Sequence, residues 1–151
     1  LACGDDHVQA VFDMLALQPN RAQFTGGLEA ARLQPWHADR IAMLKPQRAY
    51  LAYDSADDWE PLWQAVSMLK AAGVTTGYPR PLRCFVLMGY PSDTHEEASR
   101  RCQQVLDLGI MPMAMLWKDD REKTLPGWKA LQREWANPFI LGAKMGEAKT
   151  P

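Results

Sequence analysis

Gly89-Tyr90-Pro91-Ser92-Asp93 brings together a glycine that permits close backbone approach, a proline-stiffened turn, a hydroxyl and a carboxylate. Such a turn can offer main-chain and side-chain groups to a small ligand. Gly26-Gly27 is a second place where amides could approach a phosphate or an adenine, though neither glycine belongs to a G-x-G-x-x-G or a P-loop. Asp5, Asp6, His7, Glu29, His37, Asp54, Asp57, Asp58, Asp93, His95, Asp119 and Asp120 all fall near predicted helix starts or strand ends. Gathered on one face, a few of them could hold a hard or borderline metal that activates water for hydrolysis. The same acids are favoured at helix N-termini for the dipole alone, and no H-x-H or H-E-x-x-H spacing selects a metal. Cys3, Cys84 and Cys102 are an odd, sparse set that reads as reduced thiols, and the apolar faces around Cys84 and Cys102 suit buried thiols better than nucleophiles. Met111, Met113 and Met115 alternate along one strand face and read as core packing.

The elements that must position these residues follow from apolar periodicity. Asp5-Asp6-His7 opens a helix with Val8, Val11, Phe12 and Leu15 on one stripe, ended by Pro19-Asn20. Residues 22–25 form a short strand candidate, and Pro35 starts a helix carrying Ala38, Ile41 and Ala42 inward. Residues 48–53 read as a buried strand ended by Asp54-Ser55, where a ligand face would begin. Asp57-x-x-Glu60 is read as a capping box for a helix bearing Trp59, Leu62, Trp63, Val66 and Leu69, with Gly73 as its C-terminal stop. Residues 74–82 form a stiff connection to a strand over 83–88, a nearly unbroken apolar run. After the Gly89–Asp93 turn, Thr94 with Glu97 caps a helix to Leu108 that buries Ala98, Cys102, Val105 and Leu106, and Gly109 ends it. Residues 110–116 are a fourth strand, which Pro112 confines to an edge or a bulge. Pro126-Gly127 starts a helix with Trp128, Leu131 and Trp135 on one stripe, ended by Asn137-Pro138. The expected organisation is one domain over 1–138 and an irregular, partly disordered tail over 139–151.

Four strands alternating with helices predict an α/β fold, a partial (β/α) barrel with about four parallel strands and about five helices. At 151 residues the chain can hold a real core, burying about 68–70% of its unfolded surface. A net charge of −1 without a lysine–arginine run argues against nucleic acid bound through a basic surface. Neither a signal-peptide pattern nor a membrane-length apolar run is present, so the expected compartment is the cytoplasm, with no membrane partner. Leu1 in place of an initiator methionine points to a natural start further upstream.

V-L-M-G-Y-P-S-D-T-H-E-E resembles the G-[FY]-P-G-[DE]-T-x-E-[DE] turn that follows the fifth strand of many radical S-adenosylmethionine (radical SAM) enzymes, with Ser92 in place of the second glycine. The rest of the chain resembles the same superfamily in order: L-A-C the tail of the second strand, F-T-G-G-L-E-A-A-R-L the end of the third, R-A-Y-L-A-Y-D-S the fourth, and I-M-P-M-A-M-L-W-K-D-D the sixth. The resemblance implies an adenine-side pocket at Gly89, Tyr90, Pro91, Ser92 and Asp93, together with Asp54, Ser55 and Glu29. It covers the later two-thirds of the barrel. The C-x-x-x-C-x-x-C triplet that holds the family's four-iron cluster does not occur in these residues, so no iron–sulfur cluster is expected on this chain and S-adenosylmethionine is expected to bind weakly at most.

Three readings of function follow. The first is a fragment or truncated relative of a radical SAM-like enzyme, inactive as an isolated chain. The second is a stand-alone binding or assembly module on a partial barrel, and the third a metal-dependent hydrolase using the acidic rim. An open barrel also leaves bare strand edges and the inward faces of Phe24, Tyr50, Phe85, Leu87 and the methionine strand, from which a homodimer or larger homo-oligomer covering the open side is expected.

Overall fold

A computed structural model of the chain describes residues 1–74, 80–121 and 123–147. The fold is α/β, with an open sheet of four parallel strands in the order β1-β2-β3-β4 and six α-helices among the described residues. No described helix is long and apolar enough to cross a membrane. The chain divides into two compact units, Leu1–Ala52 with Asp57–Arg83, and Tyr53–Ala56 with Cys84–Pro151.

In the first unit α1 (Asp5–Ala16) buries Val8 and Phe12, as its stripe predicts, and packs on α2 (Pro35–Leu44), which buries Ala38 and Ile41. β1 is only Gln23–Phe24, paired with β2 (Arg48–Tyr53) through Gln23↔Arg48 and Phe24↔Ala49. α3 (Trp59–Ala71) packs on α2 and ends where Gly73 adopts φ +97. There the Gly73 N–H donates to Lys70 O and the Val74 N–H to Leu69 O, the two bonds of a Schellman stop that only a residue at ease with positive φ permits. Two details of α3 differ from expectation. Its covered stripe is Leu62, Ala65, Val66 and Leu69, which leaves Trp59 half-buried and Trp63 47% exposed at the margin. The Asp57-x-x-Glu60 box does not form, because a 3-10 turn over Ala56–Asp58 leads into the helix and shifts the N-cap to Asp58, which makes no side-chain capping bond. Of the connection read over 74–82, residues 75–79 lie outside the described residues.

β3 (Leu82–Met88) leads into the second unit, with Leu82, Cys84, Val86 and Met88 fully buried and Arg83, Phe85 and Leu87 half-buried. The strand is therefore covered completely on one side only. α4 (His95–Asp107) opens at Thr94, whose hydroxyl oxygen accepts the Glu97 N–H at 3.1 Å, and buries Ala98, Cys102, Val105 and Leu106 as predicted. β4 (Met111–Leu116) is an edge strand, in keeping with Pro112. Met111 and Met113 are half-buried and Met115 is 47% exposed. α5 (Trp128–Ala136) packs on β4 and buries Trp128 and Trp135.

The tail expected to be irregular from 139 onward instead forms α6 (Pro138–Glu147), and 148–151 lie outside the described residues. Asn137-Pro138, read as a stop, is also a start. The Asn137 side-chain oxygen accepts the Phe139 N–H at 2.9 Å, and proline is well suited to a first helical turn.

Candidate functional site

The Gly89–Asp93 turn lies at the C-terminal end of β3 and is closed from within. The Gly89 N–H donates to Asp93 Oδ2 at 2.9 Å, and the Asp93 N–H donates to the Tyr90 carbonyl at 2.9 Å. Arg101, on the buried stripe of α4, sends one guanidinium nitrogen both to Asp93 Oδ2 and to the Leu87 carbonyl, each at 2.8 Å. One charged group thus ties strand, turn and helix together, with the Arg101 side chain 5% exposed and the Asp93 side chain fully buried. Charge-assisted bonds of this kind offset part of the desolvation of two buried ions, and here they join the turn to the strand before it and the helix after it. Asp93 Oδ1 and Arg101 Nε are buried without a protein partner among the described residues. The Arg101 guanidinium lies 5.9 Å from the centre of the Tyr90 ring.

Gly89 has φ +84, and its α-carbon faces the Trp128 indole: a Cβ there would meet the ring at 2.9 Å. His95 stands edge-on to the same indole, with ring centroids 4.4 Å apart. The residues predicted to receive an adenine therefore divide. The amide of Gly89 and the carboxylate of Asp93 serve the turn itself, whereas Pro91 and Ser92 are exposed and Tyr90 is half-buried, leaving them open to a ligand. Asp54, exposed, and Ser55, half-buried, follow β2 and belong to the same unit. Glu29 belongs to the other unit, where it pairs with Arg32 at 2.9 Å.

The acidic rim does not gather into a metal site: among the described residues no three of His, Cys, Asp or Glu are placed to hold an ion. His37, counted in that rim, is 2% exposed and inside the first unit against Phe12 and Trp36. Its Nδ1 accepts the Gln34 N–H at 3.0 Å, so the imidazole is neutral, and burial lowers its pKa below the ordinary 6.5 despite the nearby Asp5. The folded state thus binds this proton less readily than the unfolded chain. His37 therefore destabilises the fold increasingly as pH falls from about 6.5 toward its lower folded value. We expect the urea midpoint to drop over that interval and the drop to shrink in His37→Gln, which keeps an acceptor for Gln34; an unchanged pH profile in the variant would exclude His37 as the cause.

The cysteines do not fit a cluster either. Among the described residues none of them gathers with two other metal-ligating side chains; Cys3 is exposed, Cys84 and Cys102 are buried, and burial pushes the Cys102 thiol up to about 12. Arg101 and Trp128 complete the turn, whereas the sequence marks Trp128 only as part of a helix stripe and does not mark Arg101. Arg101 was detectable as the one cation on the Ala98–Cys102–Val105 stripe, while nothing local links Trp128 to Gly89. No family model matches the chain, and no curated protein or solved structure matches it.

Proposed function

We propose that the chain is the adenine-facing portion of a radical SAM-like (β/α) barrel, with the outer edge of the 89–93 turn meeting an adenine nucleoside. The observation that carries this reading is the turn itself: held by Asp93 and Arg101, it presents Tyr90, Pro91 and Ser92 at a strand C-terminus. Open α/β sheets bind their ligands at that end of the strands. Preformed loops lose little entropy on binding, which favours recognition even where contacts are few. Trp128 over Gly89 confines the ligand to the Tyr90–Ser92 side.

Because the three cysteines are not arranged for a cluster, the chain by itself binds without generating a radical. Calorimetric titration with S-adenosylmethionine and with adenosine is the test. Both should give weak, saturable heat in the high-micromolar to millimolar range, with similar affinities, since the adenine is the shared recognised part. No heat from either up to millimolar concentration would overturn the reading, and iron reconstitution yielding a stable four-iron absorbance would overturn the account of the cysteines.

A further inference from the structure

A cleft of about 730 Å³ runs between β4, the loop that follows it and α5. Its polar wall is Lys118, Lys123, Thr124, Lys129 and Gln132, and none of the described residues lining it is a carboxylate. A chain with net charge −1 thus places three ammonium groups around one concavity. Lys118 is engaged in another interaction, so Lys123 and Lys129 are the ammonium groups that can draw an anion to the cleft.

The frame of the cleft is built. Asp119 Oδ1 accepts the N–H groups of Arg121 at 3.0 Å and Lys123 at 2.7 Å, and the Asp119 N–H donates to the Lys123 carbonyl at 2.9 Å, so the loop bearing Lys123 and Thr124 is pinned at its base. On the opposite side Gln132 Nε2 donates to the Ala114 carbonyl at 3.3 Å, fastening α5 to the strand. Lys129 stands in the first turn of α5, where the positive end of the helix dipole adds to its charge. Lysines can also guard a bare strand edge against pairing, but that role places them in the strand, and all three here lie outside Met111–Leu116. Lys123 and Lys129 have no carboxylate partner among the described residues.

We propose that this cleft is a binding site for a small molecule carrying a phosphate or diphosphate group, which Lys123 and Lys129 hold by charge and the Thr124 hydroxyl by a hydrogen bond. Lysine serves a phosphate as a point charge and needs no bidentate geometry, which suits mobile ammonium tips around an open cleft. The site is separate from the 89–93 turn. S-adenosylmethionine carries no phosphate, so its titration and this one succeed or fail independently.

The experiment is titration of the ¹⁵N-labelled chain with inorganic pyrophosphate at low ionic strength, followed by amide shifts. Saturable shifts are expected at Lys123, Thr124 and Lys129, weakening as salt is added. The pair Lys123→Gln and Lys129→Gln should bind about tenfold more weakly, the loss expected of two screened ion pairs. A control pair in the other unit, Lys45→Gln with Lys70→Gln, removes the same net charge and should bind as the parent does. Shifts that rise linearly without saturating, that spread over the whole surface, or that weaken equally in the control pair would overturn the proposal.

Discussion

Arg101→Ala is expected to lower stability by about 3–5 kcal/mol, the range for removing one partner of a buried ion pair. The substitution leaves the fully buried Asp93 carboxylate without its cation and the Leu87 carbonyl without the guanidinium donor, while the Gly89 N–H still donates to Asp93 Oδ2. Against a typical domain stability of about 5–15 kcal/mol, such a loss should be plain as a fall in urea midpoint with little change in slope. Asp93→Asn should be costly as well, because Arg101 then keeps a buried charge with only neutral acceptors. Arg101→Ala combined with Asp93→Asn removes both charges at once. Its cost should fall well short of the sum of the single substitutions, since neither ion is left alone. Additive losses would show that Arg101 contributes through packing and not through its pairing with Asp93.

The pair also marks where sequence reasoning stops. Apolar runs and stripes located β2, β3, α1 and α4 to within a residue or two, and Gly73 and Thr94 named two helix ends correctly, because strand length, helical period and capping chemistry are local. Which face a helix buries is decided by its neighbours. Trp63 matches the period of α3 and is nevertheless exposed, and His37 matches a rim of polar residues and is nevertheless enclosed against Phe12. The tail differs from expectation for a related reason: Asn-Pro is a stop for the helix before it and a cap for the helix after it, and nothing in α6 declares itself amphipathic strongly enough to choose. At the candidate site the residue types of Gly89–Asp93 were visible, whereas their division of labour was not. Asp93 reads as a ligand-facing carboxylate until Arg101 is seen against it, and Gly89 as a backbone opening until Trp128 is seen filling it.

Gly89→Ala is the second large effect, and its two causes can be separated. At φ +84 an L-residue with a Cβ pays a backbone penalty of about 1–2 kcal/mol. The new methyl also lands 2.9 Å from Cγ and Cδ2 of Trp128, a buried ring packed nearly perpendicular to the His95 imidazole with centroids 4.4 Å apart, so the indole cannot withdraw without disturbing a second side chain. Overpacking of this kind adds roughly 1–3 kcal/mol, for a total of roughly 2–5 kcal/mol in an otherwise native chain. Trp128→Leu is itself destabilising, since it leaves part of the ring's volume unfilled. Within that background, however, Gly89→Ala should lose its steric share and retain only the backbone share of about 1–2 kcal/mol, giving a favourable coupling between the two substitutions. Urea denaturation of the four chains of the cycle measures it. If Gly89→Ala costs the same with tryptophan or leucine at position 128, the ring does not bear on the turn, and Gly89 is a glycine for its backbone conformation alone.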